Sequence, residues 1–192
     1  MAVSNKKGKL LIFSAPSGSG KTTLVKHLMR KVDNLSFSIS ATSRKIRGGE
    51  INGRDYYYLS ANEFRKKIAN NEFVEWEEVY NDKYYGTLKL EVERIRNQGQ
   101  HVVFDVDVVG GVNIKRLYGN DALAIFVMPP SIEVLKQRLL GRGTDTDNDI
   151  KTRIDKAEYE LTFSNKFDNV IINDSLEKAQ METVDLVQRF VQ

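Results

Sequence analysis

Ser14-Ala15-Pro16-Ser17-Gly18-Ser19-Gly20-Lys21-Thr22 carries the residue types a polyphosphate requires, in the order it requires them. Gly18 and Gly20 can take positive φ and lack a Cβ, so successive backbone N–H groups can turn inward around phosphate oxygens. The loop opens a helix, whose N-terminus adds unpaired N–H groups and a dipole that favours an anion. Lys21 is spaced to reach β- and γ-phosphates, and the Thr22 hydroxyl to ligate Mg²⁺, with Thr23 in the same first turn. The strict spacing G-x-x-x-x-G-K-[ST] asks for glycine where this chain has Ala15, a mild departure where φ stays negative. Three arginines form a second group. Arg138 and Arg142 are four apart, and Arg153 follows beyond Gly141, Gly143 and a polar run from Thr144 to Asp149. Such a segment could close over a triphosphate, its arginines stabilising charge on a moving phosphoryl group while closure excludes water. Asp105 and Asp107 end an apolar run, where a carboxylate sits beside the crevice in which α/β proteins bind ligands, and Asp105 could hold Mg²⁺ through water. Arg44, Arg47, Tyr56 and Tyr85 are donors of the kind that grip a phosphate.

The elements that position these groups follow from periodicity. Leu10-Leu11-Ile12 predicts a buried strand before the loop, and Leu24, Leu28 and Val32 predict a helix after it, ending near Arg30 or Lys31. Phe37-Ser38-Ile39-Ser40 alternates like a strand and opens a segment rich in Tyr and charge, running to about Thr87. In that segment Ser60-Ala61-Asn62-Glu63 is a capping box, leading into Phe64 and Ile68 and stopped at Asn70-Asn71. Tyr56-Tyr57-Tyr58-Leu59 and Phe73-Val74-Glu75-Trp76 read as short strands, with Tyr57 and Tyr58 assigned to core packing. The alternation of strand and helix then resumes. Leu88, Val92 and Ile95 mark a helix stopped by Gly99, and residues 101–107 a buried strand. Ala122 to Met128 is another, followed by a helix that Ser131 caps and that runs to Leu140. A helix over 149–163 buries Ile150, Ile154, Ala157 and Leu161. Asn169 to Ile172 is the last strand, and Ser175 caps the last helix. About five strands alternating with helices predict a three-layer α/β fold around a parallel sheet, with right-handed crossovers. An inserted, mostly β lobe (37–87) and a helical lid (131–163) interrupt the core (10–36, 88–130 and 164–192).

Composition limits the partners. The 192 residues are 41% hydrophobic and 29% charged, with a formal net charge of +3, which calls for neither nucleic acid nor a membrane surface. There is no cysteine, hence no disulfide framework or thiolate metal site, which suits a reducing cytoplasm. No stretch reads as a signal peptide or membrane span. The sequence leaves monomer or homo-oligomer open.

Taken in order, several stretches resemble one family over nearly the whole chain. They are the loop from Ser14 to Thr22, Thr42-Ser43-Arg44 with Arg47 and Gly49-Glu50, Gly53-Arg54-Asp55-Tyr56, Asn71 to Trp76, and Tyr84-Tyr85-Gly86-Thr87. Asp105-Val106-Asp107, Pro129-Pro130-Ser131, Arg138-Leu139 with Gly141-Arg142-Gly143, and Asn173-Asp174 complete the set. The chain is similar to the guanylate kinases, nucleoside monophosphate kinases with a phosphate loop. The resemblance implies Mg²⁺-dependent transfer of the ATP γ-phosphoryl group to GMP, or dGMP, in line and without a covalent intermediate. It assigns ATP to Ala15, Pro16, Ser17, Gly18, Ser19, Gly20, Lys21, Thr22 and Thr23, with Asn173 at adenine. It assigns the GMP phosphate to Arg44, Arg47, Tyr56 and Tyr85, and guanine to Ser40, Glu75, Thr87 and Asp107. Lys21, Arg138, Arg142 and Arg153 would neutralise the moving phosphoryl group. A carboxylate at Glu75 can accept from the N1–H and N2–H₂ edge of guanine, a donor pair that adenine lacks. Ala15, Ile46 between the two lobe arginines, and Val108-Val109 depart from the family pattern. A P-loop kinase with another acceptor would not need Glu75 and Thr87. A scaffold module of guanylate kinase type would not need Lys21, Thr22 and the lid arginines.

Overall fold

The computed structural model describes residues 7–141 and 147–192. The phosphate-loop strand β1 (Leu10–Ser14) is buried along its whole length. Helix α1 (Lys21–Lys31) follows, and then β2 (Leu35–Phe37). The next four strands are β3 (Ala41–Thr42), β4 (Tyr57–Tyr58), β5 (Phe73–Tyr80) and β6 (Lys83–Leu88), with α2 (Ala61–Ala69) after β4. Helix α3 (Lys89–Asn97) leads to β7 (His101–Asp105) and α4 (Val108–Tyr118). The chain closes with β8 (Ala122–Met128), α5 (Ile132–Leu140), α6 (Asp147–Leu161), β9 (Asn169–Ile172) and α7 (Leu176–Val191).

Five parallel strands form the central sheet in the order β2-β7-β1-β8-β9. Leu10 stands between Val102 and Ala122, and Phe13 between Asp105 and Ile125. Alternation along the strands divides the core. Leu11, Phe13, Val103 and Ile125 pack on α1 and α7, while Leu10, Ile12, Phe104 and Phe126 pack on α3, α4 and Phe167. Because helices cover both faces at the middle of the sheet, β7, β1 and β8 each read as a nearly continuous apolar run. The other four strands form a mixed sheet, β4-β3-β6-β5, whose small core is Ala41, Phe64, Phe73 and Tyr84.

The predicted capping box is complete: the Ser60 and Glu63 side chains each accept from the other's backbone N–H. Three expectations are corrected. The strand expected at 37–40 to open the lobe instead lies at Leu35–Phe37 and pairs with β7 at the edge of the central sheet. The strand expected over 101–107 stops at Asp105, because Asp107 turns to cap α4, its carboxylate accepting from the Gly110 N–H at 2.6 Å. Tyr58, assigned to core packing, donates its hydroxyl to Glu50 at 2.7 Å. Tyr57 does pack in the lobe core, with its hydroxyl on Glu91. On α6, Ile150 and Ala157 are buried, and Ile154 and Leu161 only partly. Among the described residues no helix is long and apolar enough to cross a membrane.

Candidate active site

The loop between β1 and α1 folds as its glycines require. Gly18 (φ 98°) and Gly20 (φ 91°) are left-handed, whereas Ala15 is not, so its methyl costs no backbone strain and packs beside the core. Ser19 N–H donates to Pro16 O, and no side chain caps α1, whose first turn faces the cavity. A Cβ on Gly20 would stand 2.2 Å from Asn173 Nδ2, and one on Gly18 about 3 Å from Leu135 of α5. Glycine is therefore fixed at both positions by neighbours as well as by φ.

This loop forms one wall of a cavity of about 410 Å³. Lys21 lies in it, ion-paired with Asp105. Burial pushes the Lys21 ammonium down to about 8, against the pull of Glu160 and Asp107. Ala15, Pro16, Ser17, Thr22 and Thr23 share that wall, and Ser19 is buried behind it. Across the cavity stand three side chains of α6, Arg153, Lys156 and Glu160, with Arg153 Nη1 donating to Ser17 Oγ at 3.3 Å. Thr22 and Asp105 line the same space and offer the hard oxygen donors that Mg²⁺ prefers. Among the described residues no group of three or more His, Cys, Asp or Glu could hold a metal ion.

Arg138 and Asn173 sit on the other side of the loop, lining a second cavity of about 250 Å³ with Gly18, Gly20 and Thr23. Arg138 Nη2 donates to the Asn173 carbonyl at 2.9 Å, and Asn173 Nδ2 donates to the Ser19 carbonyl at 2.7 Å. Arg138, grouped by sequence with Arg142 and Arg153 as a lid arginine, lines this second cavity and not the one that holds Lys21. Arg142 lies outside the described residues.

The mixed sheet brings its own polar groups toward the loop. Glu75 accepts from the Thr87 hydroxyl at 2.7 Å, on paired strands β5 and β6. Burial, with the Asp107 charge adding to it, pushes the Glu75 carboxyl up to about 7. The side chains of Glu75 and Asp107 both close on Gly110, where an added Cβ would lie 3.0 Å from Glu75 Oε2 and 3.1 Å from Asp107 Oδ1. Further out, Arg44 makes a fork to both oxygens of Glu50 at 2.7 and 2.6 Å and lies over the Tyr56 ring at 4.8 Å. Tyr85 packs edge-on to Tyr56. The Arg44 fork holds the Glu50 carboxyl well below the usual carboxylate range, with Tyr58 assisting. Arg47 is exposed and gives its backbone N–H to Glu50; the Ser40 carbonyl accepts from Tyr57, with no side-chain bond to the cluster.

Four residues of the site were given no role there by sequence, although Glu50 stands in a family-like stretch and Tyr58 was assigned to core packing. Glu50 and Tyr58 orient Arg44, while Lys156 and Glu160 line the loop cavity. For the α6 pair a signal existed: they stand three and seven residues after Arg153, on one helical face. For Glu50 it was weaker, a lone acid closing a basic Gly-Gly turn.

A parallel sheet with a phosphate loop at the C-terminal end of its central strand, facing a second cluster of Arg, Tyr and carboxylate, defines a P-loop nucleotide-binding protein of the small kinase type. The guanylate kinase family matches residues 7–190. Guanylate kinase of Bacteroides thetaiotaomicron is 57% identical over 190 residues, spanning 99% of this chain and 93% of the relative. That of Porphyromonas gingivalis is 59% identical over 169 residues, spanning 88% and 90%. The crystal structure of guanylate kinase from Anaplasma phagocytophilum superposes with a TM-score of 0.75 at 26% identity, covering 97% of this chain and 88% of that one. This chain belongs to the guanylate kinase family, the nucleoside monophosphate kinases that transfer phosphoryl from ATP to GMP.

Proposed function

We infer that the chain is a cytoplasmic, Mg²⁺-dependent ATP:GMP phosphotransferase in which the phosphate loop holds the donor and the mixed sheet holds the acceptor. Asp107 is the observation that carries this reading, since it lines the loop cavity and also lies beside Glu75 across Gly110. Donor phosphates and a guanine-sized acceptor can therefore meet over one carboxylate.

Backbone N–H groups from Gly18 to Thr22 receive the donor phosphates, and Lys21 exchanges Asp105 for β- and γ-oxygens. Thr22, with Asp105 through water, would hold Mg²⁺, whose charge offsets that of the phosphates. Arg153 moves from Ser17 to the phosphoryl group, joined by Arg142 and Arg138 when the segment 131–163 closes as a lid. Asn173 commits its N–H to Ser19, which leaves Oδ1 to accept from the adenine amino group. In the acceptor lobe Arg44, preset by Glu50, binds the GMP phosphate with Arg47, Tyr56 and Tyr85. Ionised Glu75, fixed by Thr87, accepts the two donors of guanine, with Ser40 and Asp107 completing the recognition. The protein supplies position and charge, and the transfer needs no covalent intermediate.

A coupled assay with Mg-ATP and GMP, AMP, UMP or CMP tests this, with Lys21→Ala as the blank. GMP-selective turnover that disappears in the blank is expected. A folded protein that transfers phosphoryl to none of the four would overturn the reading.

A further inference from the structure

Among the described residues the loop cavity is walled by three cations and three carboxylates: Lys21, Arg153 and Lys156 against Asp105, Asp107 and Glu160. Two of the cations have evident tasks. Lys21 is paired with Asp105, and Arg153 reaches across to Ser17 in the loop. Lys156 is one turn beyond Arg153 on the same face of α6. Its ion pair with Glu160 is loose at 3.8 Å, between an ammonium side chain that is 62% exposed and a carboxylate side chain that is 9% exposed. The pair is thus half-exposed, its ammonium in solvent and its carboxylate at the cavity wall, and at 3.8 Å it is too long for a close hydrogen bond.

The field of Lys156 also reaches β5, where it opposes the rise that Asp107 and burial impose on the Glu77 carboxyl. The ammonium thus stands where α6, the loop cavity and the acceptor sheet converge. Glu160 is buried and stays at the wall, so without Lys156 the formal charges of the named wall residues sum to −1 before any anionic nucleotide arrives. A compact charge on a flexible four-carbon stem can leave a 3.8 Å partner for a phosphate oxygen at small cost.

We propose that Lys156 is a catalytic residue of the transfer, contacting the phosphoryl group as it passes from the donor loop to the acceptor. This rests on the phosphotransferase reading above. The test is steady-state kinetics of Lys156→Gln and Lys156→Arg in the full chain with Mg-ATP and GMP, beside the unaltered protein and Lys21→Ala, with thermal unfolding of each in the absence of ligand. Lys156→Gln is expected to lower kcat by about ten- to a hundredfold, less than loss of a rigid transition-state donor. It should leave the GMP KM within about threefold and Tm within about 2 °C. Lys156→Arg should restore most of kcat. The proposal is overturned if Lys156→Gln keeps kcat within about twofold, or if its loss tracks a fall in Tm that arginine does not repair. An unaltered protein as inactive as Lys21→Ala would overturn the underlying reading and the proposal together.

Discussion

Glu75 shows how one buried carboxylate links specificity to pH. Its carboxyl is raised to about 7, first by burial and then by Asp107, with the Thr87 hydroxyl acting the other way. Accepting from two guanine donors requires the ionised form. The KM for GMP should therefore rise as pH falls below about 7, approaching tenfold per pH unit for a single proton. A KM profile between about pH 5.5 and 8.5 reads this directly, and Glu75→Gln should flatten the profile while weakening the preference for GMP over AMP. The same shift acts on stability with a fixed sign. A carboxyl raised from its ordinary 4.5 stabilises the fold below about 4.5, and that contribution is lost as pH rises through about 7. The unliganded protein should consequently have a lower Tm at pH 8 than at pH 6, and Glu75→Gln should recover much of the difference. At this scale the sequence was informative for Glu75, Thr87 and Lys21, whose neighbours in the fold match the stretches that resemble the family. It placed Glu50 in a family-like stretch without a role and Tyr58 in core packing, because their pairing with Arg44 depends on how the 47–58 segment folds back.

Central strands and capped helices were legible for simple reasons. Ala122 to Met128 and Asn169 to Ile172 form strands with the expected bounds, the first because an apolar run buried on both faces leaves little ambiguity, the second because a short β-branched run keeps its strand signal although only Ile171 is buried. Helix α4 was not anticipated. Its sequence, with Val108, Val109, Gly110 and Gly111 in the first turn, has poor intrinsic propensity. Close approach explains both glycines. A Cβ on Gly111 would meet Ser14 Oγ at 2.6 Å and the Phe167 ring at about 3.1 Å, so α4 rests almost backbone to strand on β1. Ser14 in turn donates to the Asp107 carbonyl at 2.9 Å. Gly111→Ala should cost roughly 1–3 kcal/mol through overpacking, a fall in Tm of several degrees. It should also displace Asp107, so the GMP KM should rise more than the ATP KM. Equal kinetic constants at an unchanged Tm would refute this account of the helix. The hairpin β5–β6 extends beyond the expected Trp76, because its outer residues pair through backbone while their side chains stay exposed, and periodicity there carries no burial signal.

Across the whole molecule, the site is assembled from segments far apart in the chain: the loop after β1, the end of β7, one face of α6 and the residue after β9. The parallel sheet gathers them because its strands all end on the same side. The fold class was therefore readable from rhythm alone, whereas the orientation of each arginine was not. Arg138 illustrates this, since it turns to the Asn173 carbonyl and away from the Lys21 cavity. Asn173→Ala would leave the Ser19 carbonyl without its side-chain donor and free Gly20 to move. The expected result is a loss of about 1–3 kcal/mol in stability and at least about tenfold weaker ADP binding by calorimetry, from the loosened loop together with the lost acceptor for adenine. Unchanged ADP affinity would show that the loop holds its shape unaided.

That amide joins Ser19 to a residue 154 positions later. While the chain is being made, the phosphate loop emerges long before the peg that fixes it, by roughly 8 to 30 s at about 5–20 residues per second. During that interval the polypeptide carries the glycines, Lys21 and Thr22 but no fixed cradle. If Asn173→Ala weakens ADP binding as expected, firm nucleotide capture waits until β9 has joined the sheet, and a tightly bound nucleotide reports that synthesis has passed Asn173 and folding has caught up with it.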